Sequence, residues 1–135
     1  MRILLDTNVV LDVLQAREPF VYSATQLFAH IERGEIEGVL CATTVTTLDY
    51  LLTRAMSREQ AKAILQRLLG LFGVAAVTRT VIEDALASSM PDFEDAVLAF
   101  AASQAGAERI ITRNPRDFRS SPVLVLDPLE FLAQL

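Results

Sequence analysis

A chain of 135 residues is long enough for one domain, and a domain of that size buries roughly two thirds of its unfolded surface without a disulfide or structural metal. A composition that is 52% hydrophobic, with only five Gly and five Pro, excludes disordered and fibrous classes, and no apolar run approaches the roughly 18 residues of a membrane helix. The net charge of −5 excludes nucleic-acid binding through a general basic surface, because such binding draws on neutralised phosphates. The acids therefore need their own explanation.

Arg2 to Leu5 is a short apolar run that stops at Asp6-Thr7-Asn8, and Val9 to Leu14 reads as a short helix, so the N-terminus predicts a strand-to-helix junction. Glu18 and Pro19 open a longer amphipathic helix in which Ala24, Leu27, Phe28 and Ile31 keep helical spacing up to Gly34. Gly38 to Ala42 predicts a second strand, followed by a helix capped by Thr43 or Thr44 and carrying Val45, Leu48, Leu51 and Leu52. Ser57 with Gln60 has the form of a capping box for a helix through Ala61, Ile64, Leu65, Leu68 and Leu69.

Phe72 to Val77 predicts a third strand, and Thr80 a cap for the segment Val81 to Ala87. Met90-Pro91-Asp92 begins an Ala-rich helix that runs to about Gln104 before Gly106. Arg109 to Thr112 and Val123 to Leu126 are the fourth and fifth strands, and Asp127-Pro128-Leu129-Glu130 starts a terminal helix. Strands of continuous apolar character alternating with helices predict an α/β fold: a single domain over 1–135, a three-layer α/β/α sandwich around a mainly parallel five-stranded sheet. The lone Cys41 reads as a small buried hydrophobe, and neither a leader nor a spanning segment is expected, so a reducing cytoplasm fits.

In such a sheet ligands bind beyond the carboxyl ends of the strands. Asp6 ends strand one, Asp49 lies in the helix after strand two, Asp92 and Asp95 open a later helix, and Asp117 follows strand four. Acids from four segments aimed at one crevice repel one another unless they take up protons or a hard cation such as Mg2+ or Mn2+. A cation open to water polarises a phosphodiester and activates a nucleophile, which suffices for nuclease chemistry. The single His30 lies within a helix, away from these acids, and reads as structural or surface. Arg113, Arg116 and Arg119 cluster beside Asp117 and offer phosphate-binding forks. Asp12 reads as a solvated or inter-helix residue, and Asp127 as a cap.

Asp6-Thr7-Asn8-Val9 after an apolar strand, Asp95-Ala-Val-Leu-Ala heading an Ala-rich helix, and Thr112-Arg113-Asn114 with Asp117-Phe118 after strand four together resemble the PIN domain, over essentially the whole chain. The resemblance implies a Mg2+- or Mn2+-dependent endoribonuclease for single-stranded RNA, similar to VapC-type toxins, with a cognate antitoxin and a homodimer as the implied partners. It also implies Asp6, Asp95 and Asp117 as metal-binding acids, with Asp92 beside them. Asn8 is implied as the polar partner that orients the first carboxylate, and Thr112 or Arg113 as a holder of phosphate or water.

The chain departs from the family pattern twice. Asp49 stands where a Glu is usual, and Asn114 where many relatives carry a further Asp. These departures keep a second reading open, a non-catalytic module of the same fold that binds RNA or protein. A phosphatase of the haloacid dehalogenase type would need a second Asp at Asn8, and a receiver domain a Lys late in the chain, where none follows Lys62.

Overall fold

The computed structural model describes residues 1–135. Five strands, β1 (Arg2–Leu5), β2 (Glu37–Cys41), β3 (Gly73–Ala75), β4 (Arg109–Ile111) and β5 (Leu124–Leu126), form one sheet in the order β3-β2-β1-β4-β5. Every adjacent pair is parallel, with Ile3 opposite Gly38 on one side of β1 and Leu4 opposite Ile110 on the other. The sheet is thus wholly parallel. Seven helices connect and flank the strands: α1 (Thr7–Leu14), α2 (Val21–Glu32), α3 (Ala42–Ala55), α4 (Arg58–Leu71), α5 (Arg79–Ala87), α6 (Phe93–Gln104) and α7 (Pro128–Leu132).

Successive strand side chains point to opposite faces, and here both faces are covered. Ile3, Leu5, Leu40 and Ile111 enter one core with residues of α1 to α4 and α7, whereas Leu4, Val39, Cys41 and Ile110 enter another with α5 and α6. This is why the strands read as unbroken apolar runs. Helix α6 buries Ala96, Val97, Leu98, Ala99, Ala101 and Ala102, and the small side chains let it lie close against the sheet. Gly38 serves close packing too, since a Cβ there would come within 2.8 Å of Ile31 Cδ1 and Phe72 Cδ1.

The expected capping boxes form at Ser57 with Gln60 and at Asp127 with Glu130. Gly34 and Gly106 follow α2 and α6 at φ 76°, the left-handed geometry that glycine accepts at helix ends. Two caps differ from expectation. Thr78, not Thr80, caps α5 by accepting from the Val81 amide at 3.3 Å, because a cap side chain reaches the amide three residues ahead. Neither Thr43 nor Thr44 caps α3, whose helix begins directly after the extended Cys41. Instead Thr44 is buried, and its hydroxyl accepts from Thr7 Oγ1 at 3.1 Å. The loop after β4 contains a 3-10 turn, Pro115–Phe118, whose Phe118 anchors it in the core.

Candidate active site

The chain leaves β1 for β2 on one side and reaches β4 on the other, so the crevice beyond the ends of β1 and β4 is the point where strand order reverses. Two strand ends define its floor. The Asp6 amide extends the ladder by donating to the Ile111 carbonyl at 2.9 Å. Asp6 itself is the N-cap of α1 and accepts from its neighbour, the Thr7 amide, at 2.7 Å.

The second oxygen of Asp6 is held from across the crevice. Thr112, fully buried just after β4, donates its hydroxyl to Asp6 Oδ2 at 2.8 Å. The same hydroxyl oxygen accepts from Asn8 Nδ2 at 3.3 Å and from the Asn114 amide at 3.2 Å. A hydroxyl has one donor and two acceptor positions, so Thr112 is saturated and has nothing left for phosphate or water. Asn8 completes the link by accepting from the Arg113 amide on Oδ1 at 3.3 Å. Asn8 therefore reaches the Asp6 carboxylate only indirectly, through the Thr112 hydroxyl.

On the opposite rim, α6 begins at its N-cap Asp92, which accepts from the Asp95 amide at 2.9 Å and sets the helix start. Asp95 lies in the first turn, half-buried and facing other acids. Burial, then the charges of Asp6, Asp92, Asp117 and Glu94, push its carboxyl from an ordinary 3.8 up to about 7. Burial likewise raises Asp6, with Glu94 and Asp117 adding to it, while the hydrogen bonds from Thr112 and Thr7 pull it down. Acids from β1, α6 and the 3-10 turn thus share one electrostatic site.

Asp92, Glu94 and Asp117 are exposed on the rim. Asp49, half-buried on α3, is not among the charges acting on Asp6 or Asp95. Glu94 does act on both, a neighbour that sequence reasoning missed. Its position beside Asp95 in the first turn of α6 was the available signal. No three acidic, His or Cys side chains are gathered closely enough to close on a metal as they stand. The donor set nevertheless fits a hard cation: all oxygen, mutually repelling, and carried partly by exposed side chains with room to rotate.

Of the three clustered arginines, Arg116 and Arg119 are exposed, whereas Arg113 turns inward. Its Nε lies 3.0 Å from Asp12 Oδ2, and its guanidinium sits 4.2 Å from the centre of the Phe20 ring. Asp12 is accordingly buried and paired, not solvated. His30 rests beside Glu35 at 3.1 Å, away from the crevice, and Cys41 is buried.

A family model described as PIN domain matches residues 2–116. No curated protein sequence matches significantly. Among solved structures, VapBC2 from Rickettsia felis bound to a promoter DNA fragment is similar at 16% identity and a TM-score of 0.69, covering 94% of this chain and 98% of that one. FitAcB from Neisseria gonorrhoeae is similar at 21% identity and a TM-score of 0.72, covering 94% and 98%. VapC20 from Mycobacterium tuberculosis, described as a toxin that cleaves the sarcin-ricin loop, is similar at 20% identity and a TM-score of 0.62, covering 80% and 86%. No helix of the chain is long and apolar enough to cross a membrane.

Proposed function

Because this chain belongs to the PIN-domain family, we propose that it is a Mg2+- or Mn2+-dependent endoribonuclease that cuts single-stranded RNA. The observation that carries the reading is the convergence of acids at the switch point of the sheet, where burial and then the charges of its neighbours raise Asp95 to about 7. A folded chain that holds carboxylates against one another gains most when a divalent cation neutralises them.

Asp6 and Asp95 are the leading ligands in this reading, with Asp117 and Asp92 able to swing in from the rim. When bound, the cation supplies Lewis-acid polarisation of the phosphodiester and a water activated for attack. The chain's own residues do the positioning. Thr112 and the Thr7 amide hold the two oxygens of Asp6 in fixed directions. Asn8 keeps Thr112 in place, and Asp49 stands on α3 where the family's second acid is usual. Arg116 and Arg119 lie beside Asp117, free to grip the RNA backbone. Arg113 adds positive charge to the same loop, although its guanidinium faces inward.

A similar solved structure from Klebsiella pneumoniae is described as a toxin–antitoxin complex, and this supports a small antitoxin partner for this chain; a homodimer and a cytoplasmic setting belong to the same reading. The alternative of a non-catalytic module that binds RNA or protein is favoured by one observation, that no three ligand side chains already stand at metal spacing. Labelled single-stranded RNA incubated with the protein under Mg2+, Mn2+ or EDTA, beside Asp6→Asn and Asp95→Asn, separates the two. Metal-dependent cleavage lost in both variants is expected. Binding without cleavage under every metal condition would make the module reading correct.

A further inference from the structure

Asp12 is an acid with no part in the reaction as described, yet it is wholly buried. It lies four residues after Asn8 on α1, which places both side chains on one helical face. Both reach the same segment. Asn8 binds the Thr112 hydroxyl and the Arg113 amide, while Asp12 pairs with the Arg113 guanidinium at 3.0 Å.

The pair is poorly built as a source of stability. Both Asp12 oxygens and Arg113 Nε are buried without a hydrogen bond of proper geometry. The second cation near Asp12, Arg17, stands 4.0 Å away. Burying the Asp12 charge against a guanidinium that stays a quarter exposed recovers little of the cost of removing it from water, so the pair is better understood as fixing geometry than as adding stability. The Phe20 ring packs against the guanidinium at 4.2 Å, which helps to hold it over Asp12.

We propose that the Asp12–Arg113 pair is a positioning device for the metal site, a role that rests on the nuclease reading above. With Asn8 it pins the segment from Thr112 to Asn114 to α1, and this keeps the Thr112 hydroxyl on Asp6. Arg113 then acts through its neighbour Thr112 and is not an RNA ligand.

The test uses Mn2+ alone as the probe, titrated into the metal-free full chain, together with hydrogen exchange at the amides of Arg113 and Asn114. Asp12→Asn, checked for folding by its melting curve, should weaken Mn2+ binding about tenfold, the low end for residues that orient a ligand, and should speed exchange at both amides. RNA affinity of the metal-free protein should not change. Asp12→Leu combined with Arg113→Met replaces the charges with apolar volume. It should recover melting temperature but not Mn2+ affinity, an outcome that a purely structural role does not give. Wild-type Mn2+ affinity in either folded variant would overturn the proposal. So would an Arg113→Met variant that loses RNA affinity while holding Mn2+ normally. A wild-type chain that binds no Mn2+ would refute the nuclease reading itself and this role with it, a result distinct from equal binding by wild type and variant.

Discussion

Replacing Asp95 with Asn should make the metal-free protein more stable at pH 8 while removing its response to metal. Four acids act on Asp95, and at about 0.5 kcal/mol for each partly exposed charge pair their repulsion comes to about 2 kcal/mol. The first turn of α6 works the other way, since a helix N-terminus favours a negative charge by about 0.3–1 kcal/mol. These two effects leave a gain of about 1 kcal/mol, to which removal of the half-buried charge itself adds, so the melting temperature should rise by at least about 3–5 °C for a domain of this size. Asn keeps the shape and leaves the Asp92 cap intact.

The pH dependence fixes the sign. The carboxyl of Asp95 is raised from 3.8 to about 7, so between those values the folded state holds a proton that the unfolded state has released. Stability associated with this group is therefore greatest below the unfolded value and is lost as pH rises through about 7. Melting in EDTA should show the variant further ahead of the wild type at pH 8 than at pH 5, where only part of that stability has been lost. Saturating Mn2+ should reverse the order, because a ligand at 100 times its Kd stabilises the wild type by about 2.7 kcal/mol. A variant that is no more stable at pH 8, or that gains as much from Mn2+ as the wild type, would refute the account of a repelling cluster that a cation relieves.

The same protonation predicts that Mn2+ affinity of the wild type falls about tenfold between pH 8 and pH 6, measured by titration calorimetry, since a ligand carboxylate must be deprotonated. Thr112→Val removes a hydroxyl that serves Asp6, Asn8 and Asn114. It should cost about 1–3 kcal/mol in chemical denaturation and lower Mn2+ affinity by about 10–100-fold. Gly38→Ala places a Cβ 2.8 Å from Ile31 and Phe72, so it should destabilise the fold by about 1–3 kcal/mol while leaving the cleavage rate of the folded fraction unchanged. Arg116→Ala with Arg119→Ala should weaken RNA binding and reduce its logarithmic salt slope by about 1.4, for two lost phosphate contacts to a single strand.

Much of this fold was legible because local and global signals agree. The strand-to-helix switch at Asp6, the capping boxes at Ser57 and Asp127, and the glycines at 34 and 106 act within a few residues, where spacing is informative. The start of α3 was misread because β2 enters it without a loop, and the threonines that looked like caps are engaged elsewhere, Thr43 with Cys41 Sγ and the buried Thr44 with Thr7. Asp12 was misread for a related reason. Its partner Arg113 is remote in sequence, and no local pattern announces a pairing made only when β4 lies down beside β1.

The acidity of the chain, at −5 overall, is best understood together with that topology. Asp6 and Thr112 meet because parallel β1 and β4 end side by side, and α6 starts nearby because it must cross back over the sheet before β4. Three chain segments thus deliver acids to one rim as a consequence of connectivity. The first turn of α6 favours negative charge, yet Asp92 alone caps the helix, and Asp95 is half-buried among Asp6, Asp92, Asp117 and Glu94, which all act on it. In the proposed nuclease, that charge is what a cation would relieve. An acidic surface can approach RNA there only once that charge has been neutralised.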